Sequence, residues 1–158
     1  MTTSPDAGST DDPYNLNRFV RAQEDDYQRA LAEIESGRKR THWMWYIFPQ
    51  VDGLAFSPTS KLYSIKSAEE ARAYLDHPLL GPRLLTCAEA VVRIEGHSAT
   101  DIFGSPDDVK LRSCATLFAS VLPPGSVFDR LLGKYFWGLR DGKTLQLLSS
   151  QTRTNLDR

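Results

Sequence analysis

Residues 37–50 read GRKRTHWMWYIFPQ. Three consecutive cations, Arg38, Lys39 and Arg40, run through Thr41 and His42 into the wholly apolar residues 43–48, and Pro49 stops them. This apolar run decides the fold class. Over six residues a buried strand and a buried helix look alike, because no period shows in a segment without polar residues. The decision falls to the flanks. Upstream, Leu16, Phe19, Val20, Tyr27, Ala30, Leu31 and Ile34 recur at helical spacing, and Arg21, Glu24, Asp25, Arg29 and Glu33 take the other face. The spacing predicts one helix over 15–36, capped by Asn15 or Asn17 and stopped by a left-handed Gly37.

Downstream the helical period continues. Gly53, Ser57 and Pro58 mark an irregular loop over 50–60, followed by a helical turn over 61–65. Ser67 and Glu70 match a capping box, and the residue before Pro78 disfavours helix, so a helix starts at Ser67 and ends by His77. Leu84, Cys87, Ala88 and Val91, broadened by Leu85 and Val92, form the stripe of a helix over 78–95. Ser98 and Asp101 signal a short turn that ends at Gly104. Ser105, Pro106, Asp107 and Asp108 combine a capping serine, a proline at the first helical position and two carboxylates at the positive end of the dipole. That helix carries Leu111, Cys114, Ala115 and Phe118 up to the break at Pro123, Pro124 and Gly125. Phe128, Leu131, Leu132 and Tyr135 stripe the next, from Ser126, and Leu145 and Leu148 a last short one. No segment alternates apolar and polar residues over strand length. The expectation is an all-α fold, a single compact domain of about six to eight short and medium helices with irregular loops. Residues 1–13, rich in Ser, Thr, Asp, Gly and Pro, read as a disordered tail, 14–149 as the domain, and 150–158 as a frayed end.

Composition narrows the function classes. The chain has 158 residues and a formal net charge of -1, and the first thirteen residues hold Asp6, Asp11 and Asp12 without a cation, which leaves +2 on the rest. A nucleic-acid partner is disfavoured, because such domains carry a clear basic excess. The longest apolar run is far short of the roughly 20 residues of a membrane helix. Cys87 and Cys114 stand alone in apolar contexts and read as reduced core residues of a cytoplasmic protein. His42, His77 and His97 are isolated from other ligand types, so no metal site is expected, nor any cofactor. The sequence carries no phosphate-binding glycine loop and no serine-nucleophile elbow.

Three segments hold residue types that do chemistry. Arg38, Lys39, Arg40, His42, Trp43 and Trp45 contain the parts of a pocket for an anionic, nucleotide-like molecule, since guanidinium groups grip phosphate and an indole stacks on a base or sugar. The same cations also suit the negative end of the preceding helix, so a scaffold reading stays open beside the pocket. Over 106–114, Asp107 and Lys110 stand three residues apart and Asp108 and Arg112 four apart, ion pairs worth about 0.2–0.5 kcal/mol each on an exposed helix. Asp107 or Asp108, with His42, is the candidate acid–base group. Lys134 and Trp137 close the third segment. Candidate ligand contacts are thus Arg38, Arg40, Trp43, Trp45, Gln50, Lys110, Arg112 and Trp137.

These residues carry a family resemblance. The motif G-R-K-R-x-H-W-M-W-x-I-F-P-Q at 37–50, the P-D-D-x-K-L-R-S block at 106–113, and KYFWGLRDGKTLQLL at 134–148 resemble domain of unknown function 1810. The likeness spans nearly everything from Asn15 to Leu148. Members are sometimes labelled calpastatin, which nothing in these residues supports. The resemblance implies a mainly helical, single-domain cytosolic protein and no stated activity. A shorter similarity, Trp137 and Gly138 followed by a glycine and apolar residues, is to the ADP-ribose-handling glycosidase superfamily, and it implies a ligand of that kind.

Overall fold

A computed structural model describes residues 11–156, with side chains as far as Gln151. It resolves the ambiguity of the apolar run in favour of helix: the segment holds Met44–Ile47 as a single turn. The described helices are α1 (Asn17–Gln23), α2 (Tyr27–Glu35), α3 (Met44–Ile47), α4 (Pro58–Leu62), α5 (Ala68–Asp76), α6 (Leu80–Arg93), α7 (Ala99–Phe103), α8 (Asp107–Ala119), α9 (Val127–Phe136) and α10 (Gly142–Leu156). Among the described residues there is no strand, only a parallel bridge between Val51 and Ile65. The fold is all-α, as the periodicity predicts, with more helices than expected.

The surplus begins at the N-terminus, where the helix expected over 15–36 is two. Gln23 is buried, and its Nε2 donates to the Tyr46 carbonyl at 2.7 Å and to Tyr74 Oη at 3.1 Å. Asp26 accepts the Tyr46 hydroxyl. Meeting both partners turns the chain between α1 and α2. Neither Asn15 nor Asn17 caps α1. The Asp12 carboxylate does so, accepting Leu16 N at 2.7 Å and Asn17 N at 3.0 Å. Residues 1–10 of the expected tail lie outside the described residues.

Caps account for most other starts. Ser57 accepts Ser60 N at 3.2 Å with Pro58 at the first helical position, so α4 begins three residues before the turn read from the sequence. Ser67 accepts Glu70 N at 3.1 Å, but Glu70 does not return the bond to Ser67. It accepts Lys66 N at 2.9 Å and Arg18 Nη2 at 2.7 Å. Arg18 directs its remaining donors to the carbonyls of Leu62, Tyr14, Asn15 and Ser64, pinning α1 to α4 and α5. Ser98 and Asp101 form a full capping box on α7. Ser105 caps nothing; α8 opens at Asp107, behind a Pro106 without a side-chain cap.

The core gathers around α8 and α6, both of which pack on α9 and on α5. From Ser113 to Ala119 every residue of α8 is buried, so the stripe Leu111, Cys114, Ala115 and Phe118 understates it. A helix buried all round shows no one-sided pattern. In α6 the stripe Leu84, Cys87, Ala88 and Val91 is buried as predicted, while Leu85 is exposed. Gly81 lets α6 cross the end of α5 closely, since a Cβ there would lie 2.0 Å from the Leu75 carbonyl oxygen. The last helix runs on to Leu156, past the short one expected over Leu145 and Leu148. Among the described residues no buried side-chain polar atom lacks a partner, and no helix is long and apolar enough to cross a membrane.

Candidate functional site

The site grows from the end of α2. Gly37 takes φ 87°, its N–H donates to the Ile34 carbonyl at 2.8 Å, and Arg38 N donates to the Glu33 carbonyl at 3.1 Å. These two bonds reverse the chain, and a residue with a side chain would be strained at Gly37. Lys39 N then donates to the Ile102 carbonyl at the end of α7, at 2.7 Å.

The Glu33 carboxylate holds the chain from Arg40 to Trp43. Its Oε1 accepts Arg40 N at 2.7 Å, Thr41 N at 3.0 Å and Trp43 Nε1 at 2.8 Å; its Oε2 accepts the Thr41 hydroxyl at 2.6 Å. Burial raises the affinity of this carboxyl for its proton, but the four donors outweigh burial and bring its pKa down to about 2. The sequence places Glu33 on the solvated face of its helix; it is buried instead, as the anchor of the whole turn.

With the turn held this way, the three cations separate. Arg38 and Arg40 are exposed, whereas the Lys39 side chain keeps only 7% of its surface. Its Nζ lies 2.9 Å from Asp107 Oδ2, donates to the Thr41 carbonyl at 2.6 Å, and sits 5.0 Å from the centre of the Trp43 ring. Asp107 Oδ1 lies 3.5 Å from Lys110 Nζ, which lies 5.4 Å from the centre of the Trp45 ring. Two cations thus share one carboxylate beside a half-buried indole. Around them opens a cleft of about 340 Å³ lined by Lys39, His42, Trp45, Asp107, the apolar Met44 and Phe103, and the Ser105–Pro106 turn.

Of the residues expected at a site, His42, Trp45 and Asp107 line this cleft, and Lys110 reaches it through Asp107 and Trp45. The others go elsewhere. Trp43 is fully buried and its indole N–H is taken by Glu33, so it offers no face for stacking. Arg38 and Arg40 do not line the cleft. Asp108 accepts the Thr100 hydroxyl at 2.6 Å and is not paired with Arg112. Arg112 grips the carbonyls of Leu139 and Arg140, at 2.8 Å each. Trp137 ends α9 in the left-handed region, is 88% exposed and does not line the cleft. Gln50 lines a smaller notch that shares Trp45 with the cleft.

Of the three cations it is Lys39 that lines the cleft, not the two arginines expected as ligand contacts. Its signal is positional, because in the non-helical turn 38–40 the outer two side chains point to solvent and the middle one points in. No group of three His, Cys, Asp or Glu among the described residues could hold a metal ion. His77 caps α6 instead, its Nδ1 accepting Leu79 N at 3.1 Å and Leu80 N at 3.2 Å.

Comparison with known proteins places these features in a family. A solved structure of the conserved hypothetical protein Rv1873 from Mycobacterium tuberculosis matches with a TM-score of 0.86 and 49% identity, over 87% of this chain and 99% of that one. No protein of curated function matches. The model of the family described as "Protein of unknown function (DUF1810)" matches residues 13–148, and the chain belongs to that family.

Proposed function

We propose that the cleft binds a small anionic, nucleotide-like molecule. One observation carries this reading: an ammonium group that is almost buried, Lys39, stands in the wall of an open cleft that Trp45 and Phe103 also line. A cation so held has little side-chain freedom left to lose, and it acts in surroundings of lowered dielectric, where an anion is held more tightly than at an open surface. Lys39 and Lys110 outnumber Asp107 and leave a local excess of one positive charge, with His42 at the same opening. Trp45 supplies a flat apolar face, and Asp107 accepts a hydrogen bond from a ligand hydroxyl. A hydrolytic step on the bound ligand would fall to Asp107 as the base, since Asp108 is turned to Thr100. The same reading puts the protein in the cytoplasm, in keeping with its two free, buried cysteines.

The test is a thermal-shift screen of nucleotides, ADP-ribose, sugar phosphates and inorganic phosphate against the wild type and Lys39→Met. A ligand that binds only the folded state raises the melting temperature by mass action. The expected result is a rise with at least one phosphate-bearing compound, lost in K39M. No rise with any of them, or equal rises in both proteins, overturns the reading. The exposure of Arg38 and Arg40 favours a second reading, an interaction surface for nucleic acid or protein. Its binding would weaken steeply with salt and would be lost on replacing the two arginines, not Lys39.

A further inference from the structure

We propose, resting on the anion-site reading above, that Trp45 is the shared wall of a two-part site in which Gln50 reads the edge of a nucleobase. Trp45 lines the Lys39 cleft and also lines the notch beside it, whose polar lining is Gln50, Ser60, Tyr63 and Ser64. The notch holds about 20 Å³, room for the edge of a ring and not for a whole ring.

Its polar groups fall into two kinds. The serine hydroxyls are occupied: Ser57 Oγ donates to Ser60 Oγ at 2.9 Å, and Ser64 Oγ donates to Asp52 Oδ1 at 2.8 Å. The Gln50 amide and the Tyr63 hydroxyl have no hydrogen-bond partner among the described residues. The backbone at Gln50 is nonetheless rigid, because its carbonyl accepts Ile65 N at 2.8 Å and the neighbouring Val51 is buried. A fixed backbone therefore carries a free amide beside a half-buried indole.

An amide offers an acceptor and a donor side by side, the pattern that pairs with the donor–acceptor edge of a base. Stacking alone accepts any base, so a Trp45 platform needs an edge reader to become selective. Lys110 links the two parts, being paired with Asp107 at the anion end and placed over the Trp45 ring. The ligand class this fits is a nucleoside phosphate, with phosphate toward Lys39, the base on Trp45 and the base edge at Gln50.

The experiment measures affinity by titration calorimetry for inorganic phosphate, ribose 5-phosphate and the four common nucleoside monophosphates. The proteins are the wild type, Gln50→Ala and Gln50→Glu. Because the Gln50 side chain bonds nothing within the described residues, both variants should melt within about 2 °C of the wild type without ligand. One nucleotide is expected to bind about tenfold tighter than the other three, the discrimination of one two-pronged contact. Q50A and Q50E should erase that preference among the bases, and Q50A should leave ribose 5-phosphate affinity unchanged. If nucleotides bind no tighter than ribose 5-phosphate, or keep their ranking in Q50A, the base-reading role falls while the anion site stands. If none of the compounds binds, both fall.

Discussion

Glu33 accepts the indole N–H of Trp43 at 2.8 Å, joining the last turn of α2 to the first residue of the apolar run. The same carboxylate holds the backbone of Arg40 and Thr41. One buried side chain thereby shapes the turn that separates Lys39 from its neighbours. Everything proposed for the cleft depends on that turn.

Replacing Glu33 with Gln should therefore lower stability by about 2 kcal/mol near neutral pH, the effect of weakening several bonds to a charged acceptor. Urea unfolding measures it. Acid adds a signature. The folded carboxyl titrates at about 2 against an ordinary 4.5, so the stability it contributes is present above the ordinary value and is lost as the pH falls toward 2. E33Q has no such group to titrate, so the gap between the two proteins should narrow from pH 6 to pH 3. A gap of constant size would refute the role given to Glu33.

The three cations should behave unequally. Arg38→Ala and Arg40→Ala remove exposed side chains and should shift stability by no more than about 0.5 kcal/mol. Lys39→Met breaks a shielded ion pair, although Lys110 still partners Asp107, and a loss of about 1–2 kcal/mol is expected. Unfolding midpoints in urea would rank them, and an equal response from all three would contradict the geometry.

Gly81→Ala tests the crossing of α5 and α6. Alanine favours helix over glycine by about 1 kcal/mol, yet here its Cβ would meet the backbone of Leu75. The clash should win, with a net loss of about 3 kcal/mol, because a backbone atom cannot rotate away as a side chain can. A stabilised G81A would show that the helices sit further apart.

Both cysteines should resist modification in the native protein. Burial pushes the Cys87 thiol up to about 12 and the Cys114 thiol well above its usual range, and only a thiolate attacks a disulfide reagent readily. Colorimetric titration with such a reagent at pH 8 should count no fast thiols when folded and two in denaturant. One fast thiol in the native state would contradict the packing of α6 or α8.

Trp137 holds φ 55°, a region that favours glycine, and it makes the helix end without being buried. Trp137→Gly should therefore raise stability, by about 0.5–1 kcal/mol. It should also remove most of the fluorescence that acrylamide quenches readily, since Trp43 is sealed and Trp45 half-buried. Thermal melts and quenching curves check the two effects separately.

Much of the fold is written in local chemistry. Ser67, Ser98 and Ser126 cap helices where their spacing to the next carboxylate says they should, because an N-cap needs only residues three positions apart. The stripes of α6 and α9 are likewise legible, since each presents one face to the core. The misses share a cause. The break between α1 and α2 depends on Gln23 reaching Tyr46 and Tyr74, and the first cap comes from Asp12, whose partners a helix-period reading does not weigh. At the site, the motif 37–50 announces cations and aromatics, and His42, Trp45 and Asp107 do meet in one cleft. Trp43, Asp108, Arg112 and Trp137, equal to them in composition, are committed to the core, to the Thr100 hydroxyl, to carbonyls or to solvent.

Neighbours within a turn or two of helix suffice to set the helical class, several of the helix starts, the left-handed stop at Gly37 and the segments that hold the chemistry, so all of these can be read from the residues alone. It took the packed fold to settle that Lys39 turns inward while Arg38 and Arg40 turn out, that Asp107 faces it and that Glu33 is buried. Those outcomes depend on which distant groups compensate a buried charge, and a carboxylate 68 positions away along the chain leaves no local trace in the residues around Lys39.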